Sequence, residues 1–211
     1  SKHIKKDYKS MAFTAMINHD YVKNNTAEQY FTGVGPLAFL PMSNTKTSIV
    51  FSVFNRDLIK DNAKIVKLIK HYNRLYNIKK ISELQKFPIN FSLSRNYFYR
   101  NILSFGDALH KIHPLAGQGF NMTIRDTKIL SKLIQKNLDL GINLDTILDK
   151  FEINRKNSNF VFAMGIDFVH EFFKFNNKYN MKSIDNLFKL MNKNLYIKKK
   201  IENFANKGFI I

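Results

Sequence analysis

Hydrophobic and polar positions change rhythm along this chain. In the first hundred or so residues the apolar runs are short and bounded by turn formers, as in strands. Phe13 to Ile17 is one such run. Gly35 to Met42 and Ser48 to Val53 are two more, separated by the polar turn Ser43-Asn44-Thr45-Lys46; together they predict a hairpin. Ile65, Leu68, Ile69, Tyr72 and Tyr76 recur at helical spacing, which predicts an amphipathic helix over 57–76. Ile89, Phe91 and Leu93 then alternate with Asn90, Ser92 and Ser94, the period-two pattern of a half-buried strand. Ile102-Leu103-Ser104-Phe105 predicts a short buried strand running directly into Gly106-Asp107. From about Asn121 the rhythm is helical. Met122, Ile129 and Leu133 share one face; Val161, Phe168, Val169 and Phe172 share another, and so do Ile184, Leu187, Phe188, Met191 and Leu195. The pattern predicts an α+β chain: a mostly antiparallel sheet packed with helices, a strand–loop–helix joint, and a helical C-terminal region. Its divisions fall at 1–100, 101–140 and 141–211.

Composition narrows the class. A hydrophobic content of 45% supports a genuine core, and 14% aromatic residues argues against disorder. No run approaches the roughly 18 apolar residues of a membrane span. The N-terminus is polar and basic, without the apolar stretch of a secretory signal. Cysteine is absent, which excludes disulfides, thiolate catalysis and Cys-ligated metal and fits a reducing, cytoplasmic location. The net charge is +18, but the basic residues are spread along the whole chain. They form no nucleic-acid-binding pattern, so they read as solvated lysine faces and no nucleic-acid partner is expected.

The stretch from Gly106 to Asn121, GDALHKIHPLAGQGFN, stands apart from its surroundings. An ionised Asp107 can accept hydrogen bonds from a diol such as a ribose or ribityl chain. At the carboxyl end of a buried strand it lies where open α/β folds bind ligands. Gly117-Gln118-Gly119 permits backbone conformations and close approach that side chains would block. A helix starting near Asn121 aims its positive end at whatever the glycines admit, a seat for an anion or for a ring that becomes anionic. Pro114 stiffens the intervening loop. His110 and His113 are spaced for a metal, yet no third ligand clusters near them, so a structural role is expected.

These residues carry a resemblance. Gly106-Asp107-Ala108-Leu109-His110, then His113 to Asn121, then Arg125-Asp126, closely resemble the second FAD-contact motif of class A flavoprotein aromatic hydroxylases. Phe31 to Met42, Phe87-Pro88-Ile89, Phe151-Glu152 and Arg155-Lys156-Asn157 are similar to the ubiquinone-biosynthesis subgroup. The resemblance implies that 1–100 is a substrate-binding sheet, 101–140 the C-terminal part of an FAD-binding domain with its FAD-loop helix, and 141–211 a helical region. It implies that Gly106 and Asp107 hold the ribityl or ribose hydroxyls of FAD. Ala116, Gly117, Gln118, Gly119, Phe120 and Asn121 would run along the flavin, with backbone N–H groups facing its N1/O2 edge. Pro114 would line the substrate side of the ring, as cofactor contact and catalytic residue. The implied enzyme is a monooxygenase: FAD is reduced by NAD(P)H or another donor, O2 adds to give a flavin hydroperoxide, and hydroxyl passes to a polyprenylated phenol.

Two departures mark the loop, where Leu109 replaces a usual Ala and Thr123 a usual Gly; both are tolerable, with crowding of the loop as their cost. A larger one marks the front. The only G-x-G pairs are Gly33/Gly35 and Gly117/Gly119, and Ala38 and Met122 fill the third position, so the dinucleotide fingerprint is absent. The resemblance therefore implies the C-terminal portion of such an enzyme, with the N-terminal Rossmann portion missing. A second expectation stays open, that of a non-catalytic truncated paralogue serving as a binding or assembly subunit. A polyprenyl substrate also implies peripheral contact with an anionic inner-membrane surface and a ubiquinone-biosynthesis complex as partner. Lys182, Lys189, Lys193 and Lys198-Lys199-Lys200 would supply that membrane contact.

Overall fold

The structure, a computed structural model, describes residues 3–55, 57–138, 140–179 and 199. The described residues form a mixed α/β arrangement with an antiparallel sheet and three α-helices: β1 His3–His19, β2 Glu28–Thr32, β3 Gly35–Ser43, β4 Lys46–Val53, α1 Asn62–Tyr72, β5 Ile78–Ile81, β6 Gln85–Ser94, β7 Phe98–Tyr99, β8 Ile102–Leu103, β9 His110–Lys111, α2 Gln118–Leu138 and α3 Leu144–Tyr179. The chain divides into two compact units. One holds 7–89 with 173–179; the other is built on 90–172 with 3–6.

In the first unit the predicted hairpin is present as β3 and β4, paired from Leu37↔Phe51 to Ser43↔Lys46. β4 also pairs with β1, from Met11↔Val53 to Asn18↔Lys46, and β2 pairs with β3. The run Phe13–Ile17 is the middle of the much longer β1. Period-two alternation puts Phe13, Ala15 and Ile17 of β1, Leu37 and Phe39 of β3, and Ile49, Phe51 and Val53 of β4 into one core. α1 covers this face with Ile65 and Ile69.

That helix is shorter than 57–76, and its ends show why. Asp61 accepts a hydrogen bond from the Lys64 amide and caps the helix there, after a single 3-10 turn at Leu58–Lys60. At the other end Asn73 leaves helical geometry. Its side chain accepts from the Tyr76 amide at 3.0 Å and donates to the Tyr76 carbonyl at 2.7 Å. Tyr76 thus reaches the core from a turn, not from the helix.

The second unit starts within β6. Ile89, Phe91 and Leu93 are buried on alternate positions as predicted, and β6 pairs with β9 through Ser92↔Lys111 and Leu93↔His110. Two expectations fail here. Ile102–Phe105 is not a buried strand: only Ile102 and Leu103 pair, in a two-stranded hairpin with β7, and Ile102 is 73% exposed. Ser104 closes that hairpin by donating to the Tyr97 carbonyl, so Asp107 follows a hairpin rather than the end of a buried sheet strand. On α3, Val161 and Phe168 are exposed. The helix buries Ile147, Leu148, Phe151, Phe162, Ala163 and Ile166 instead. The stripe Ile184–Leu195 lies outside the described residues, as do the tail lysines apart from Lys199, which is exposed.

Candidate functional site

The segment from Gly106 to Asn121 alternates between inward and outward residues with a period near three. Leu109, His110, Ile112, His113, Leu115 and Gln118 are buried; Asp107, Ala108, Lys111, Pro114, Gly117 and Phe120 are exposed. One set anchors the loop and the other forms a face. Gly106–Ala108 is a single 3-10 turn, entered at Gly106 with a φ of +58° that favours glycine. Leu115–Gly117 is a second such turn, and α2 continues from it at Gln118, three residues before the expected start.

Neither departure crowds the loop. Leu109 is fully buried in a cluster with Tyr97 and Phe151, so the larger side chain fills core. A Cβ on Gly106 would lie 3.7 Å from Thr123 Oγ1, so Thr123 packs against the turn at ordinary contact distance.

The outward face offers three kinds of chemistry. Asp107 presents a carboxylate. The first turn of the 21-residue α2 carries no acidic residue, so none of its own side chains there offsets the positive end of the helix. Phe120 exposes 73% of its surface one turn along. Gly117 sits at φ +66°, and a Cβ there would touch nothing within 4 Å, so the backbone borders open space. Gln118 is buried, and its Oε1 has no hydrogen-bond partner. Gly119 and Asn121 are half-buried, and Ala116 lies in the 3-10 turn. All nine candidate residues therefore lie on one continuous turn–loop–helix segment.

Behind this face lies a buried polar network. Asp126 of α2, fully buried, accepts hydrogen bonds from His110 Nε2 at 2.7 Å, Arg155 Nε at 2.6 Å and Asn159 Nδ2 at 3.1 Å. Arg155 also donates to Asn159 Oδ1, and Asn159 donates to the Tyr97 hydroxyl. Burial by itself would raise the Asp126 pKa; the hydrogen bonds from His110 and Arg155 outweigh it and hold the carboxyl below its usual value. Burial pushes the Tyr97 phenol up to about 12. Asp126 and Arg155 were part of the sequence resemblance without a role, and Tyr97 and Asn159 were missed. Their signal was polar residues in core positions: Asp126 follows Met122 by one turn, and Arg155 and Asn159 follow Phe151 at the same interval.

His113 is buried against His170 of α3, ring centroids 4.0 Å apart. The two histidines of the motif thus face different partners. Among the described residues no three potential ligands gather to hold a metal. Burial, with His170 adding to it, lowers the His113 pKa to about 3. In the unfolded chain this ring titrates near 6.5, so stability is constant above that pH and falls as pH drops from 6.5 toward 3, by up to ~1.4 kcal/mol per unit. Urea midpoints at pH 7 and pH 5 test this. The midpoint should fall at pH 5, and His113→Asn should flatten the dependence; an equal slope in both proteins would place the effect elsewhere.

The family model described as "FAD binding domain" matches residues 7–159. The chain belongs to the FAD binding domain family. The site fits that cofactor: an exposed carboxylate for hydroxyls, a positive helix end for an electron-rich ring edge, and a glycine cradle with room for a ligand. Among curated relatives, the chain is 25% identical to ubiquinone biosynthesis monooxygenase COQ6, mitochondrial, of Danio rerio, over 82% of this chain and 44% of that protein. It is 29% identical to 3-demethoxyubiquinol 3-hydroxylase of Escherichia coli K12, over 70% of this chain and 40% of that one. Among solved structures, p-nitrophenol 4-monooxygenase PnpA of Pseudomonas putida DLL-E4 superposes with a TM-score of 0.77 at 13% identity, covering 99% of this chain and 55% of that one. The chain therefore shares its fold with about half of that protein. The chain spans less than half the length of these curated relatives.

Proposed function

We propose that this chain forms the substrate sheet and the flavin-edge half of the cofactor site in an FAD-dependent monooxygenase. The enzyme would hydroxylate the aromatic ring of a polyprenylated phenol in ubiquinone biosynthesis. The observation that carries this reading is the outward face of the loop, where Asp107, Pro114, Gly117 and Phe120 stand free on a buried scaffold. The relatives' names support the pathway and the class of substrate. Bound FAD would supply the redox chemistry, taking electrons from NAD(P)H or another donor and activating O2.

The chain's own residues bind and orient. Gly106 lets Asp107 turn outward, and its carboxylate accepts hydrogen bonds from ribityl or ribose hydroxyls. Ala116, Gly117, Gln118, Gly119, Phe120 and Asn121 follow the flavin. The start of α2 there would favour the electron-rich edge of a bound flavin. Pro114 lines the substrate side, its rigid ring keeping a polar backbone N–H away from the phenol. A polyprenyl substrate calls for peripheral contact with an anionic inner membrane and for neighbours in a ubiquinone-biosynthesis complex. No helix among the described residues is long and apolar enough to cross a membrane.

A second reading is a non-catalytic binding or assembly subunit. Flavin binding separates the two. In the full-length enzyme, which carries both halves of the site, Asp107→Ala should weaken FAD retention roughly tenfold through loss of charge-assisted hydrogen bonds. Equal retention would remove Asp107 from its role. A full-length wild-type protein that takes up no FAD would leave the subunit reading in place.

A further inference from the structure

We infer that Asp126 is the positioning residue of the cofactor loop, acting through His110 and never touching the ligand. This rests on the reading of 106–121 as the FAD loop. Both carboxylate oxygens are committed. Oδ2 takes His110 Nε2 at 2.7 Å, Oδ1 takes Arg155 Nε at 2.6 Å, and Asn159 Nδ2 reaches both at 3.1 Å. His110 belongs to β9, between the turn that carries Asp107 and the bend at Pro114. Asp126 lies on α2, the helix that carries Gly119 and Phe120, and Arg155 and Asn159 lie on α3. One carboxylate therefore ties both ends of the loop to the long helix behind it.

Beyond the backbone pairing of β9 with β6, the Ser94 amide on the Leu109 carbonyl and the His113–His170 contact, the loop is held by apolar and conformational anchors. Leu109, Ile112 and Leu115 are greasy contacts that tolerate small rotations, and Gly106 and Gly117 are both in left-handed geometry, which supplies freedom rather than restraint. Directional bonds fix orientation where packing does not. Pairing with β6 sets the direction of β9, and the bond His110 Nε2–Asp126 Oδ2 ties that strand to α2, which holds Asp107 and Pro114 in place relative to the start of the helix. Arg155 and Asn159 in turn hold the carboxylate, since they satisfy its remaining acceptor positions.

Amide hydrogen exchange on the full chain, without FAD, tests this. His110→Leu keeps an apolar body but removes the donor, and amides of 106–120 should exchange roughly tenfold faster. Amides of β3, β4 and α3 should keep their wild-type rates. His110→Gln carries an N–H at about the reach of Nε2 and should return loop exchange close to wild type. The inference is overturned if the loop is unaffected by His110→Leu, or if His110→Gln exchanges as fast as His110→Leu, because volume would then be what matters. It is overturned equally if α3 loosens together with the loop, which would mark a general packing contact. FAD retention in the Asp107→Ala enzyme is a separate readout: unchanged retention would sink the cofactor reading and leave the exchange result standing.

Discussion

Gly35→Ala is expected to destroy the cooperative fold of the sheet unit, at a cost above ~4 kcal/mol. Gly35 has a φ of +141°, a region closed to side chains, and a Cβ there would overlap the Ser52 carbonyl oxygen and come within 2.9 Å of its carbon. Both obstacles are backbone, so no rotamer change relieves them. The residue begins β3 opposite Thr32, whose hydroxyl donates to the Gly35 carbonyl at 2.6 Å. Moving either strand to make room pulls apart the Leu37↔Phe51 pair, two side chains with no exposed surface. Gly33→Ala is the control: nothing lies within 4 Å of its Cβ, and the change should stay within about 1 kcal/mol. Circular dichroism melts compare the two. If both variants melt together, the Ser52 carbonyl yields and the strand edge is softer than its geometry.

That glycine marks where the sequence was readable and where it was not. Apolar runs around the polar turn Ser43–Lys46 located β3 and β4, and alternation located the buried half of β6, because a sheet with one covered face leaves a period-two record. Helical spacing located α1 but overran both ends, since caps such as Asp61 and Asn73 act through single side chains that periodicity does not weigh. The apolar run at Ile102–Phe105 misled for a related reason: hydrophobicity predicts burial only when a neighbour is there to cover it. The motif at 106–121 showed which residues belong together, but not that every third one turns outward. The Asp126 network was visible only as polar letters at core spacing, and its partners, distant in sequence, emerge once α2 and α3 pack.

Arg155→Leu is expected to cost about 3–5 kcal/mol, the penalty for stripping one partner from a buried ion pair. The leucine is a fair filling for the aliphatic part of the arginine, so most of the loss is electrostatic. Asp126 would keep His110 and Asn159 but lose the guanidinium that makes its charged form favourable. In the wild type its pKa lies below the usual carboxyl value, so the pair stabilises the fold above that value and the benefit is lost as pH falls through the folded pKa. In the variant burial is opposed only by His110 and Asn159, so the folded pKa rises relative to the wild type; the cost of losing Arg155 is full where the carboxyl is ionised and shrinks as protonation neutralises it. The gap in urea midpoint between wild type and Arg155→Leu should therefore narrow from pH 7 to pH 5. The His113 contribution is common to both proteins and cancels in that difference. Combining Arg155→Leu with Asp126→Asn removes the stranded charge and should recover part of the loss, on the order of 1–2 kcal/mol. A gap independent of pH, with no recovery in the double variant, would mean that Arg155 works by filling space and that the carboxylate is held by His110 and Asn159 alone.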